Sequence, residues 1–259
     1  MAITGTDRGT ADVDTNATTA TFSPASNFAS GSWAVCCIAI NNSNTNGDAY
    51  STFTLTDSLG NTWTRRVSVL NDPGGANVGV EGAIFTTSMN GGTLTTGTTI
   101  TVTTNVATTR RCITLMEVVP TGGETISYVT GGSSTYTGIS PTITTGSITN
   151  GNMVVAAMFN EYGDDLVVTQ DSDTTNGTWS TQQTIGSIAA ATGSGISIAS
   201  QRKVVTSTAT QTYNPTMGDS NDMCLGWIQL NETGGGGGLI GDLFKPFKRS
   251  FALRRASQY

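Results

Sequence analysis

The residues of this chain with catalytic potential are carboxylates and cysteines, because the sequence contains no histidine. Its absence excludes a Ser-His-Asp triad and a Cys-His pair. Paired carboxylates are the first alternative to consider, because many glycoside hydrolases with a β-sandwich fold use two. The acids to consider stand alone or lie in loop-like stretches: Glu81, Glu117, Glu161, Asp164, Asp165, Asp219 and Asp222. We therefore predict solvated loop acids, no catalytic residue and a protein that is not an enzyme.

The four cysteines, Cys36, Cys37, Cys112 and Cys224, all lie inside apolar, strand-like runs. No two of them have the CxxC spacing of zinc or thioredoxin-type sites. We predict buried, reduced thiols that pack as small apolar side chains. A Cys112–Cys224 disulfide is the alternative, because these two positions are equivalent in the internal repeat described below.

Two loops, 41–48 (NNSNTNGD) and 171–177 (DSDTTNG), have the oxygen-rich composition of cation-binding loops. Neither supplies the acid that an EF-hand requires at its twelfth position, which is Phe53 when counted from Asn42. Turn formation accounts for Asn, Asp and Gly in such loops without an ion. We therefore predict neither a metal nor another cofactor.

Two features could bind sugar. Trp63 and Trp179 occupy equivalent repeat positions, and a tryptophan ring can stack on a sugar, although matched positions favour a role in the core. The threonine-dense run 95–105 could present hydroxyl groups to ice or sugar, but threonine is also favoured on the exposed face of a strand.

The elements that would position these residues belong to an internal repeat. Three segments return in the same order: 31–38 as 151–158, 56–64 as 169–180, and 110–118 as 222–230. The offset drifts from 120 residues at Gly31/Gly151 to 112 at Cys112/Cys224, as loop insertions and deletions would produce. The period is far longer than that of a solenoid repeat.

Short β-rich runs separated by Gly, Asn, Asp and Ser clusters predict an antiparallel β-sandwich, and no segment before residue 239 has a helical period. Only 12% of the residues are charged, so the surface is dominated by hydroxyl and amide groups. The candidate strands are 33–40, 52–56, 62–69, 79–87, 97–103, 110–118, 126–130, 141–147, 152–159, 166–170, 179–184, 195–205 and 222–230.

We predict one sandwich over residues 1–233, with repeats at about 28–120 and 147–231. Two small sandwiches are the alternative, since each repeat is long enough to form one. A shared core is preferred because the intervening segment, 120–145, contains strand-like stretches and does not resemble a linker.

The composition changes at a glycine linker, 234–238. Residues 1–233 hold seven basic and seventeen acidic residues, a charge of −10, whereas the tail 239–259 has five basic residues and one acid, a charge of +4.

Apolar residues at roughly helical spacing, interrupted by Pro246, predict an extended or short-helical tail that docks into a partner. The predicted docking residues are Leu239, Ile240, Leu243, Phe244, Lys245, Phe247, Lys248, Arg249, Phe251, Arg254 and Arg255. A disordered tail, a membrane-surface tail and a nucleic-acid tail are the alternatives.

The N-terminus has neither the basic nor the apolar region of a signal peptide, and no apolar run is long enough for a transmembrane helix. We expect synthesis in the host cytoplasm. No specific binding of nucleic acid is predicted.

The segments TDSLGNTWT, RRCITLMEV, GSITNGNMVVAAMF and CLGWIQLNE, read in this order, resemble a jelly-roll, concanavalin-like module of tailed-bacteriophage virion proteins and some bacterial surface proteins. The resemblance covers about residues 28–232. It implies a jelly-roll β-sandwich and brings no catalytic residues with it.

The resemblance also implies a place in the virion. We expect a non-enzymatic structural protein, a capsid decoration or cement subunit, that forms a homo-oligomer and binds other virion proteins, of the capsid or tail, through 239–259. The alternative is a lectin-like head-fibre or tail receptor-binding protein that recognises a host-surface glycan through Trp63 and Trp179.

Overall fold

The computed structural model describes residues 3–42, 49–71, 79–122, 124–162, 168–187 and 195–233. All regular elements in these ranges are strands, and every strand pair is antiparallel. The prediction of an all-β antiparallel protein is confirmed. Nothing in the described part of the chain is a helix suited to cross a membrane. The predicted linker and docking tail lie outside the described residues.

Fifteen strands make up the described part of the chain. They are β1 (Thr4–Phe22), β2 (Trp33–Asn41), β3 (Phe53–Asp57), β4 (Thr64–Asn71), β5 (Val80–Thr87), β6 (Ile100–Val119), β7 (Thr125–Gly138), β8 (Ile143–Ile148), β9 (Met153–Tyr162), β10 (Val168–Thr169), β11 (Gln183–Ser187), β12 (Gly195–Val204), β13 (Ala209–Tyr213), β14 (Thr216–Met217) and β15 (Asn221–Thr233).

The two halves of the chain form large sheets of corresponding strand order. The first sheet has the order β1-β6-β2-β5-β4, and the second has the order β7-β15-β9-β12-β11. The repeated sequence segments fall on corresponding strands, β2 with β9 and β6 with β15. Shorter pairings accompany each sheet: β3 with β6 in the first half, and β8 with β13 and β10 with β14 in the second.

The two large sheets pack face to face in a reciprocal way. Edge strand β1 contacts β11, edge strand β4 contacts β7, and the central strands β2 and β9 contact each other. The first strand in the order of one sheet therefore packs against the last strand in the order of the other sheet, and the middle strands pack against each other. A two-fold rotation through the centre produces this pattern, as in a symmetric dimer interface.

Three hydrophobic cores follow from this packing. One lies between the large sheets and takes residues from both, including Val35, Ile84 and Phe159. A second belongs to the first half and a third to the second half. Strand β2, flanked by β6 and β5, contributes to the first two cores, which explains why WAVCCIAI is apolar on both faces.

Several strands differ from their sequence-based prediction: β7 is longer than the run 126–130, and β13 and β14 were not predicted. The runs 97–103 and 110–118 belong to one strand of 20 residues, β6. Strand β1, with 19 residues, was not predicted, because it is mostly polar and exposed and so lacks an apolar face to reveal it. It forms an edge of the first sheet and pairs along the length of β6, with three irregularities in register.

Candidate functional site

Glu117, on β6, is a buried carboxylate, so the prediction of a solvated loop acid is wrong for this residue. It forms an ion pair with Arg8 and accepts hydrogen bonds from the Ser32 hydroxyl at 2.7 Å and the Ala29 backbone N–H. Burial would raise the pKa of Glu117, but these hydrogen bonds and the Arg8 charge outweigh it and hold the pKa below its ordinary value. Glu117 is fully engaged in fixing β1 and the segment before β2.

Glu81, on β5, is also buried, and the prediction is wrong for it too. It accepts hydrogen bonds from the Tyr50 N–H at 2.8 Å and the Ser68 hydroxyl at 3.0 Å, and burial raises its pKa. Glu81 pairs with Ile40 of β2 and Glu117 with Ala34 of the same strand. Six residues of strand separate them by roughly 20 Å, too far for a glycosidase pair.

The other described acids and thiols offer no reactive cluster. Glu161 accepts a hydrogen bond from the Gly79 N–H at 2.7 Å, and Asp222 accepts one from the Thr137 hydroxyl. Asp219 is exposed, whereas Asp164 and Asp165 lie outside the described residues. Within the described ranges, no group of three His, Cys, Asp or Glu residues is arranged to hold a metal ion.

All four cysteines are free and buried, so the Cys112–Cys224 disulfide is not formed. Each of these two thiols contacts a carbonyl of the opposite sheet: Cys112 Sγ lies 3.3 Å from Ile196 O and Cys224 Sγ lies 3.4 Å from Val80 O. Burial raises the pKa of Cys37 to about 12, with partial compensation by Thr114. Such thiols are inert at neutral pH.

The second cation-like loop uses its oxygens for its own turn. Asp171 is buried and accepts from the N–H groups of Asp173 (2.8 Å) and Asn214 (3.0 Å). Asp173 accepts from the Thr175 N–H at 2.9 Å and pairs with Lys203 at 3.1 Å. A buried ammonium here opposes cation binding. Residues 43–48 of the first loop lie outside the described residues.

Trp179 is inaccessible to a sugar. Only 4% of its surface is exposed, and its Nε1 donates to Thr212 O at 3.2 Å. The Tyr213 ring packs against it with 5.3 Å between centroids, and Lys203 Nζ lies 5.4 Å from its ring centre. The sugar-stacking hypothesis therefore depends on Trp63 alone.

Trp63 is half-buried and held in a fixed orientation. Its Nε1 donates to Asp57 Oδ2 at 2.7 Å, while Asp57 Oδ1 accepts from the N–H groups of Leu59 (2.9 Å) and Asn61 (3.2 Å). The sequence DSLGN forms this turn because the aspartate caps backbone donors and Gly60 adopts a positive φ of 77°. The turn thus places the indole before β4 begins.

The Trp63 ring borders a surface groove of about 490 Å³. Beneath the groove, Phe53 and Phe85 pack edge to face, with 5.4 Å between their ring centroids. Hydroxyl groups and one guanidinium accompany this apolar floor. The lining residues are Phe53, Thr54, Leu55, Thr56, Asn61, Thr62, Trp63, Arg65 and Phe85.

A second pocket, of about 260 Å³, adjoins the Trp63 groove at Thr62, which lines both. It is bordered by Trp33 and by Arg66, whose guanidinium lies 4.5 Å from the Tyr128 ring centre and donates through Nε to Thr86 Oγ1 at 2.9 Å. Arg66 is the extra residue of a β-bulge, because Arg65 pairs with Phe85 and Val67 with the next residue, Ile84. A bulge of this kind turns adjacent side chains to different faces.

Threonines extend the polar surface beside the groove. Threonines from three neighbouring strands, β1, β6 and β3, pair with one another to form two rows across the sheet. One row is Thr19, Thr103 and Thr54, and the other is Thr21, Thr101 and Thr56. Paired residues of antiparallel strands share a face, and all six threonines are exposed or half-buried. Two of them, Thr54 and Thr56, also line the Trp63 groove.

Sequence reasoning identified Trp63 and the threonine-dense run 95–105. It missed Trp33, Arg65 and Arg66 and the threonines that line the groove, Thr54, Thr56 and Thr62. The available signal was the pair of arginines directly after Trp63 and Thr64. The predicted docking residues all fall in 239–259, outside the described residues. No family model, curated protein or solved structure matches the chain.

Proposed function

We propose that the protein is a non-enzymatic structural component of a tailed-phage particle, a capsid decoration or cement subunit that attaches through its tail, residues 239–259. The observation that carries the proposal is how the tail joins the body. Strand β15 is paired with β7 up to Thr233, directly before the glycine linker. The basic tail thus follows a strand anchored in the core between the sheets, and linkers of glycine-rich composition give an attached segment a wide reach.

The described body fits a structural role. Its buried acids, Glu81 and Glu117, are engaged in hydrogen bonds that fix the fold, and its thiols are buried. In the proposal, the acidic body is displayed on the particle and the tail buries its apolar residues in a neighbouring virion protein, with the protein present as a homo-oligomer. The proposed location is therefore the virion.

We further propose that the chain forms one jelly-roll β-sandwich whose two halves share a core. Long strand β6 takes part both in the large first sheet and in the pairing with β3, and β1 pairs with β6 along its length. In the second half, β7 and β8 correspond to β1, and β13 to β15 correspond to β6. This connectivity supports the proposed relation to virion jelly-roll modules.

Truncation after Thr233 tests the docking role. We expect the truncated body to fold, because all the described core residues are retained, and to be lost from purified particles. A matched variant with Phe244, Phe247 and Phe251 changed to serine keeps the length and charge of the tail and should be lost as well. Undiminished incorporation of the truncated chain would contradict docking through the tail.

A second candidate function is recognition of a surface glycan, as in a lectin-like head fibre or receptor-binding protein. The observation in its favour is the half-buried Trp63, oriented by Asp57 beside a groove lined with threonines. On a glycan array, Trp63→Ala should abolish binding and Trp63→Phe should retain part of it, because an aromatic face is kept. Equal binding by Trp63→Ala and the wild type would exclude this site.

A further inference from the structure

We infer that the Trp63 groove and the adjoining Arg66 pocket together bind an acidic oligosaccharide, with sugar carboxylates facing Arg65 and Arg66. This inference depends on the glycan-binding function proposed above and assigns the chemical class of its ligand.

The distribution of basic residues is the first argument. Residues 1–233 contain seven, all in the described ranges. Four form ion pairs with carboxylates: Arg8 with Glu117, Arg110 with Asp14, Arg202 with Asp7, and Lys203 with Asp173. The remaining three are Arg65, Arg66 and Arg111.

Arg111 is occupied by the backbone. It is fully buried, and its guanidinium donates to the carbonyls of Thr15, Ala17 and Thr108, where the register of β1 is irregular. That leaves Arg65 and Arg66, neither of which forms an ion pair with a described residue. Arg65 lines the Trp63 groove, and Arg66 lines the adjoining pocket. In a body of charge −10, the two arginines that form no ion pair with a described acid therefore border adjoining pockets, and Arg65 has only a coulombic interaction with the buried Glu81.

The second argument is that no described acid lines either pocket. Asp57, eight residues before Arg65, already accepts three hydrogen bonds, from Leu59, Asn61 and Trp63. A carboxylate brought by a ligand would therefore meet a guanidinium group at each pocket, where no described acid forms part of the lining. Guanidinium–carboxylate pairs are strong, directional hydrogen bonds.

The third argument is that the two pockets offer contacts for different parts of a sugar chain. Trp63 offers an aromatic face and Thr54, Thr56 and Thr62 offer hydroxyls, a combination suited to a sugar ring. Arg65 and Arg66 line different pockets on either side of Thr62, so a single sugar cannot fill both. A chain of two or more acidic sugars would place one ring in the Trp63 groove and continue past Thr62 to Arg66.

The experiment compares charged and neutral forms of one glycan. The full chain is titrated with an oligomer of galacturonic acid and with its methyl-esterified counterpart, which keeps the ring and removes the charge. A glycan array carrying sialylated and neutral oligosaccharides is read in parallel. We expect acidic oligomers to bind at least about tenfold more tightly than neutral ones, and binding to weaken as ionic strength rises.

Variants assign the effect to the two arginines. Arg65→Gln and Arg66→Gln should each weaken binding of the acidic oligomer by about tenfold and leave the thermal unfolding midpoint close to that of the wild type. Arg110→Gln, which removes the same charge from β6 away from both pockets, should leave binding unchanged.

The outcomes separate the two proposals. Equal binding of acidic and neutral glycans that is abolished by Trp63→Ala would overturn the acidic ligand and keep the lectin function. Binding of no acidic or neutral glycan would overturn both. An equal loss in Arg65→Gln and Arg110→Gln would show a general effect of charge and overturn the assigned site.

Discussion

Two buried glutamates with opposite pKa shifts dominate the chemistry at the scale of single residues. Glu117 has a guanidinium and two further donors, and its pKa is lowered. For Glu81, burial raises the pKa and outweighs the opposing effect of its hydrogen bonds and of the Arg65 charge. We assign both residues a role in stability. They pair with positions six residues apart on β2, which is too far for a catalytic pair of carboxylates.

Substitution by glutamine should therefore have opposite effects at the two sites. At pH 7, Glu117→Gln should lower the free energy of unfolding by about 2 kcal/mol, because a charge-assisted network that includes Arg8 is lost. Glu81→Gln should leave it unchanged or raise it, because burying an amide avoids the cost of burying a charge. Chemical denaturation of the two variants and the wild type measures both.

The pH dependence of the free energy of unfolding provides a control for both substitutions. The contribution of Glu117 is present above the unfolded-state pKa, about 4.3, and is lost as pH falls through its lower folded pKa. The contribution of Glu81 is present below about 4.3 and is lost as pH rises through its raised folded pKa. The benefit of Glu81→Gln should thus vanish near pH 4. A destabilised Glu81→Gln at pH 7 would contradict this account.

At the scale of elements, the sequence predicted strands well where they carry an apolar face. Strands β2, β5, β9 and β12 lie within a few residues of their predicted positions, since all are buried. Strand β1 was missed because its pattern is that of an exposed polar edge. Pairing with β6, a contact about a hundred residues away in sequence, stabilises it, and no local pattern encodes that.

The candidate site was predictable only in part, for a related reason. Trp63 and its threonines stand out as residue types, whereas the roles of Arg65 and Arg66 depend on which other basic residues find acidic partners. Glu117 was misjudged because its partner Arg8 lies on the unpredicted strand β1. Ion pairs between distant strands are therefore the information that single-sequence reasoning lacked.

Contact between sheets gives a prediction at Gly82 on β5. A Cβ atom there would lie 2.0 Å from Phe159 Cδ2 on β9. Gly82→Ala should thus destabilise the protein by about 2 kcal/mol through overpacking, and Phe159→Ala by about 4 kcal/mol through a cavity.

The double variant tests the contact itself. Gly82→Ala with Phe159→Ala should cost less than the sum of the single changes, because the new methyl group occupies space that the ring leaves. Equilibrium denaturation of the four proteins completes the cycle. Strict additivity would show that the two residues do not press against each other.

At the scale of the whole molecule, two halves of corresponding strand order share a core between their large sheets. Cys112 and Cys224 illustrate the reciprocity, since each thiol contacts a carbonyl on the opposite sheet. Each half also has a core of its own, so each half is stabilised both by that core and by the core that it shares with the other half. The shared core couples them.

This coupling predicts a single cooperative unfolding transition. Differential scanning calorimetry should give one peak with equal calorimetric and van't Hoff enthalpies, because unfolding one half would expose the apolar sheet of the other. Truncation after Thr233 serves as the control and should leave the peak in place. Two separate peaks would show that the halves unfold independently.

The central proposal is that this protein is a structural component of a phage particle, and the composition of purified particles tests it most directly. Particles produced from the genome that encodes the chain are purified on a density gradient, and their proteins are quantified by mass spectrometry. The account predicts that the protein bands with the particles in a fixed ratio to the capsid protein. Its absence from particles, while it accumulates in the lysate, would contradict the account.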